Sequence, residues 1–222
     1  MRPHDGVDLA RVGDAFVDDA RDRTVKRGYL RHLVGASRVL DVGCGAGRFL
    51  DILKAAGIDC LGIDQSQAAC AQCARLEHRV LHGDALVLLR RLHEERERFE
   101  GALLAHVVEH LPAASVLELF AAIGRVLTPG GKLVVVTPNV RNLIVLQEVF
   151  WLDPTHVRPY PRALLAQIGM AAGLHAVASY DDPATVPVRS PLRRAIASLR
   201  SVLSGADRSA PMDAVVVFTA PA

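Results

Sequence analysis

The most constraining feature of the chain is the run VLDVGCGAGRFLDIL, residues 39–53. A short apolar segment ending in Asp41 meets three glycines, Gly43, Gly45 and Gly47, and then an apolar pattern at helical spacing. A β-branched run followed by a glycine turn and an amphipathic helix is the opening of a strand–helix unit. Glycine at that junction admits positive φ and lets a ligand approach bare backbone. A chain that begins this way is committed to a parallel sheet whose ligand sits beyond the carboxyl ends of the strands.

The remainder continues the alternation. IDCLGID, HRVLHGD, FEGALLAHVV and KLVVVTPN read as strands. AGRFLDILKAAG, SQAACAQCARL, ALVLLRRLHEERER and ASVLELFAAIGRVLTPGG read as the helices between them. Strands separated by helices imply an α/β, doubly wound, mostly parallel sheet with helices on both faces. After residue 141 the rhythm changes: NLIVLQEVFWL is expected to be an inserted helix, DPTHVRPYP a proline-rich loop, and RALLAQIGMAAGL a further helix. HAVASY and DAVVVFTA supply two late strands, for seven in all. One domain over 1–222 is expected, with an N-terminal arm at 1–22, an inserted acceptor-side segment at 141–162 and a basic helix at 186–205 carrying Arg189, Arg193, Arg194 and Arg200.

Composition narrows the partners. The 26 basic and 24 acidic residues nearly cancel, which argues against a dedicated nucleic-acid binder. No apolar run approaches the ~18 residues of a membrane span, and the first residues lack the apolar core of a signal peptide. A soluble, cytoplasmic protein is expected. Of the four cysteines, Cys70 and Cys73 form one C-x-x-C without a second pair, in a helical, alanine-rich context. They read, with Cys44 and Cys60, as small packing residues rather than a zinc or redox centre.

The ligand of the glycine loop follows from spacing. Arg48 stands where a dinucleotide fingerprint places its third glycine. Asp64, ending the second strand, can accept from both hydroxyls of a ribose. Asp84, after the third, can accept from an exocyclic amine such as that of adenine. A ribose acceptor and an adenine acceptor without a phosphate cradle describe an adenosine lacking pyrophosphate. The ensemble closely resembles the class I S-adenosylmethionine (SAM)-dependent methyltransferases over roughly residues 23–180. The resemblance implies SAM as cofactor, held by Asp41, Gly43, Cys44, Gly45, Gly47, Asp64, Gln65, Asp84, Ala85 and Ala105. It also implies an upstream arginine for the methionine carboxylate, with Arg23 and Arg27 both open.

On the acceptor side, AHVVEHLP follows the fourth strand and DPTHVRPY the fifth. His106, Glu109 and His110 would share one face of a helical turn, as i, i+3 and i+4 do. This layout resembles metal-dependent O-methyltransferases that make ubiquinone or methylate the terminal ribose of small RNAs, whose pattern is E-x-x-E-H. Here His106 replaces the first glutamate. The resemblance implies a divalent metal, magnesium foremost, with ligands His106, Glu109, His110 and His156. HVVEHL with FWLDPTHVRPYP resembles more narrowly the bacterial glycan and polysaccharide O-methyltransferases, including the type that caps methylmannose polysaccharides. A saccharide or glycan acceptor is therefore expected, with an RNA 3′-terminal ribose or a small phenol as alternatives. A non-catalytic SAM-binding protein is the alternative of another class. A hydroxyl needs a base or a Lewis acid to become nucleophilic at neutral pH; His156 is expected as that base, with His110 second. Trp151, Arg158 and Tyr160 are expected to line a sugar site, and a homodimer is expected as the assembly.

Overall fold

The computed structural model describes residues 19–186 and 210–222. The expected arm at 1–22 begins outside this range, and from Asp19 the chain is helical (α1, Asp19–Gly28). The basic helix expected at 186–205 lies outside the described residues apart from Val186.

Five strands are parallel: β1 (Arg38–Val42), β2 (Asp59–Asp64), β3 (Val80–His82), β4 (Phe99–Ala105) and β5 (Leu127–Pro138). β6 (His175–Asp181) and β7 (Asp213–Thr219) complete the sheet in the order β3-β2-β1-β4-β5-β7-β6, β7 running antiparallel to both neighbours. Between the strands lie α2 (Arg48–Ala55), α3 (Gln67–Arg75), α4 (Ala85–Glu94), α5 (Ala113–Val126), a short α6 (Leu143–Gln147) and α7 (Arg162–Ala171). The α/β, doubly wound, mostly parallel seven-stranded sheet is the architecture the alternating pattern called for.

The central strands are buried on both faces, which is why they read as continuous apolar runs rather than alternating ones. Along β5, Leu133 and Val135 join a core with Leu89, Leu92, Phe120 and Ile123 of α4 and α5. Val134 and Val136 face the other way, onto Val25 and Tyr29 beside α1 and Phe49, Ile52 and Leu53 of α2. Two-residue alternation thus distributes one strand over two cores.

Three local readings change. The helix expected to be closed by Pro129-Gly130-Gly131 ends at Val126, and β5 starts at once with Leu127 and runs through that Pro-Gly-Gly. Pro129 disfavours the helical region for Thr128 and brings no N–H of its own. The helix expected over 142–152 is split into α6 and a 3₁₀ turn, Val149–Leu152, by Glu148 at φ −127°. The fourth strand stops at Ala105, because His106 takes φ +56°. A left-handed histidine is uncommon and costly outside turns, and it redirects the chain toward the site below.

Candidate active site

β1 and β4 are the neighbours at which the strand order reverses direction, and the ends of β1, β2, β4 and β5 open onto one cavity of about 940 Å³. The glycine loop forms its floor. The amides of Gly43 and Cys44 both donate to Ile63 O, at 2.8 and 3.1 Å, pinning the loop to the end of β2. A Cβ on Gly43 would meet Val107 Cγ2 at 2.4 Å, and its φ of +78° is itself unfavourable for any other residue. The Asp64 carboxylate braces the loop further: Oδ2 accepts from Gly45 N–H at 2.7 Å and Oδ1 from Ser66 N–H at 2.8 Å. Each oxygen keeps a second lone pair for a hydroxyl donor.

Of the ten expected cofactor contacts, Gly43, Cys44, Gly45, Asp64, Gln65, Asp84, Ala85 and Ala105 line the cavity. Asp84 also caps α4, accepting from Val87 N–H at 3.0 Å. Asp41 and Gly47 do not line it. Asp41 is buried behind the wall, and burial, reinforced by the charges of Asp64 and Asp22 against that of Lys26, pushes its carboxyl up to about 7. Gly47 is needed for packing: at φ +81° it starts α2, where a Cβ would lie 3.0 Å from Cys73 Sγ and 3.1 Å from His78 Cδ2. Neither Arg23 nor Arg27 reaches the cavity, and Arg23 pairs with Asp51 at 2.9 Å. The cations on the wall are instead Arg21, Lys26 and Arg48, two of them on α1. Lys26 Nζ lies 3.2 Å from Asp22 and can meet a carboxylate beside the glycine loop. Sequence spacing could not choose among them, since α1 carries basic residues on several faces. Cys44, Cys70 and Cys73 are buried and Cys60 partly so, all as free thiols.

The acceptor side is built from the turn after β4 and the segment after β5. Glu109 is fully buried in a 3₁₀ turn, Val108–His110. His106 Nδ1 donates to its Oε1 at 3.2 Å, and Thr137 Oγ1 donates to its Oε2 at 3.1 Å. Burial pushes the Glu109 carboxyl up, but the His106 contact outweighs it and holds it below the ordinary range. His106 itself shows 42% of its side chain to the cavity, its Nε2 3.9 Å from Asp213. Burial opposes its charge; Asp213 and Glu109 together prevail and push the imidazole up to about 9. It is a cation bridging two acids.

Among the described residues, one group of His, Cys, Asp or Glu side chains could hold a metal ion: Glu109, His110 and His156 offer ligand atoms within 4.8 Å of one another. His106, expected as a further ligand, is not part of this group; its Nδ1 is hydrogen-bonded to Glu109 instead. Two imidazole nitrogens and one carboxylate oxygen fit zinc, iron or manganese better than magnesium, which takes oxygen ligands. His156 Nδ1 lies 2.6 Å from Phe150 O. A carbonyl can only accept, so Nδ1 carries a proton, and in the neutral ring Nε2 is then bare. The expected sugar platform is not assembled: Trp151, Arg158 and Tyr160 are all absent from the cavity wall. Trp151 is 60% exposed and donates to Leu146 O; Tyr160 is fully buried and donates to Leu111 O at 2.7 Å, with Arg158 over its ring.

A doubly wound sheet with an antiparallel seventh strand, and a nucleoside-sized cleft at its switch point, define a methyltransferase-type domain. The chain belongs to the methyltransferase-domain family, whose sequence profile matches residues 13–179. It is 35% identical over 144 residues to the ubiquinone biosynthesis O-methyltransferase of Bradyrhizobium diazoefficiens, covering 63% of this chain and 54% of that protein. It is 33% identical over 118 residues to the mitochondrial ubiquinone biosynthesis O-methyltransferase of Homo sapiens, covering 48% and 30% respectively. The chain therefore spans about half the length, or less, of these relatives. A SAM-dependent methyltransferase from Archaeoglobus fulgidus superposes with a TM-score of 0.75 at 25% identity, over 91% of this chain and 94% of that one. No helix among the described residues is long and apolar enough to cross a membrane.

Proposed function

We propose that this protein is a SAM-dependent O-methyltransferase acting on a hydroxyl of a phenolic ring. The observation that carries the acceptor class is the lining of the cavity beyond the cofactor loop. Val107, Leu111, Val145, Val149, Leu152 and Met212 supply its aliphatic part, and His106, His110, Asp153, Thr155 and His156 a polar part. A hydroxylated ring can use both parts, its faces against the aliphatic side chains and its oxygen toward the imidazoles. The names of the curated relatives, ubiquinone biosynthesis O-methyltransferases, support the same class.

In this reading the adenosine of SAM lies over Gly43 and Gly45 between Asp64 and Asp84, and Lys26 receives the methionine carboxylate. With no metal on it, His156 Nε2 takes the proton of the acceptor hydroxyl while the hydroxyl oxygen attacks the methyl carbon. The S–CH₃ bond breaks, leaving S-adenosylhomocysteine and the methyl ether. A divalent transition metal held by Glu109, His110 and His156 would occupy that same His156 nitrogen and would supply Lewis acidity toward the hydroxyl in place of the base. The test is methyl transfer from labelled SAM to a panel of phenols, oligosaccharides and short RNAs. Label in phenols alone is expected. Label in oligosaccharides or RNA ends instead would overturn the acceptor class. SAM binding with no transfer to any hydroxyl, metals supplied, would favour a non-catalytic SAM-binding protein.

A further inference from the structure

Two residues outside the expected site, Asp153 and Thr155, make a directed chain of hydrogen bonds that ends on His110. Thr155 Oγ1 lies 2.6 Å from Asp153 Oδ1 and 2.8 Å from His110 Nδ1. The Thr155 backbone N–H donates to the same Asp153 oxygen at 2.8 Å, closing an Asx-type turn that fixes where the hydroxyl sits. All three side chains line the cavity.

The direction of the chain follows from proton counting. A hydroxyl has one proton to donate. The Asp153 carboxylate accepts only, so the Thr155 proton goes to Asp153. The Thr155 oxygen can then only accept from His110, whose Nδ1 must carry hydrogen. In the neutral ring His110 Nε2 is then left with a lone pair. His156 reaches the same state by its own bond to Phe150 O, and the two rings lie 4.7 Å apart, centre to centre.

We propose that Asp153 and Thr155 are positioning residues that lock His110 in the Nδ1–H tautomer, so that the cavity holds two imidazoles with bare Nε2 atoms. With the opposite tautomer, His110 would present an N–H where a lone pair is needed to hold a metal ion or accept a hydroxyl proton. The catalytic consequence rests on the O-methyltransferase reading; the tautomer does not.

The test joins imidazole ¹⁵N spectroscopy to kinetics. Two-bond ¹H–¹⁵N correlation at pH 8.5, above the ordinary imidazole pKa of about 6.5, assigns the tautomer of each histidine without cofactor or acceptor. In the unmodified protein His110 is expected to be Nδ1–H. Thr155→Val removes the hydroxyl at nearly constant shape and Asp153→Ala removes its acceptor; both are expected to populate Nε2–H on His110. Methyl transfer should then fall ten- to a hundredfold, the range for partners that orient a reactive imidazole, with SAM affinity within twofold. Thr155→Ser keeps the chain and should keep both tautomer and rate within threefold. An Nε2–H tautomer in the unmodified protein overturns the proposal, even if both disruptive variants misfold. So does a folded Thr155→Val that retains Nδ1–H and full rate. An Nδ1–H tautomer that these variants disrupt, in a protein that methylates no hydroxyl, would sustain the positioning chain and reject the function.

Discussion

Replacing Asp64 with alanine perturbs two things at once, and the structure separates them. Its carboxylate accepts one N–H from the glycine loop and one from the turn into α3, at 2.7 and 2.8 Å. Its spare lone pairs face the cavity, where a ribose diol would sit. A hydrogen bond to a charged group contributes roughly 1.5–3 kcal/mol. On the protein side Asp64 is only partly buried, so water can replace much of what is lost, and unfolding free energy should drop by about 1–2 kcal/mol. On the ligand side the loss should be about 2–3 kcal/mol, or roughly 30- to 150-fold in SAM affinity. Urea titration reads the first quantity and calorimetry with SAM the second. Asp64→Asn refines the comparison: with one oxygen it cannot serve both amides, so its stability should fall between the other two. A folded Asp64→Ala that binds SAM within threefold of the unmodified protein would remove Asp64 from the ribose site.

Other substitutions test separate parts of the same cavity. His156→Ala should lower kcat by roughly 10²–10⁴-fold, the range for a general base, with SAM affinity unchanged; His93→Ala, whose ring bonds Arg125 O away from the cavity, serves as control. If a metal held by Glu109, His110 and His156, rather than His156 as base, activates the hydroxyl, EDTA should abolish turnover while sparing SAM binding, with restoration by zinc or manganese before magnesium; full activity in chelator would reject the metal. Asp41→Asn should stabilise the protein at pH 8. The native Asp41 carboxyl is raised to about 7, so the folded state holds a proton that the unfolded state releases from about pH 4. Stability from this group is thus lost as pH rises from about 4 to 7, by up to ~4 kcal/mol. A flat pH dependence across that window, identical in both proteins, would contradict the burial of Asp41. His106→Ala should cost about 1–2 kcal/mol, since the buried Glu109 carboxylate loses a partner that is itself 42% exposed to water; a melt unchanged from the parent would refute that pairing.

The sheet was legible because β1, β4 and β5 are apolar on both faces and helices with clear periodicity separate them. The glycine loop was legible because Gly43 answers to a backbone requirement that no side chain could meet. Boundaries were lost where one residue overrides propensity: Pro129 starting β5 early, Glu148 splitting a helix, His106 ending β4 at positive φ. The acceptor wall was less legible. Trp151, Arg158 and Tyr160 are types that pack on sugars, yet orientation decides their use, and the chain turns Trp151 outward and Tyr160 inward. The Asp153–Thr155–His110 chain joins residues 45 positions apart through a fold contact and has no motif.

His106 shows how far one substitution can move a site while the fold stays fixed. An acid at that position would leave Glu109 and its neighbour as two carboxylates in a buried space, a pair that calls for a cation between them. With histidine there, the cation is part of the chain: its Nδ1–H satisfies one oxygen of Glu109, and Thr137 satisfies the other. A metal ion would then compete with His106 for Glu109 rather than complete an acidic pair. An ion held there would depend more on the nitrogens of His110 and His156, donors that suit zinc or manganese better than magnesium. His106→Glu should reverse that order, tightening magnesium binding measured by calorimetry while loosening zinc. Zinc binding unchanged and magnesium still undetectable in a folded His106→Glu protein would mean that residue 106 does not govern the ion.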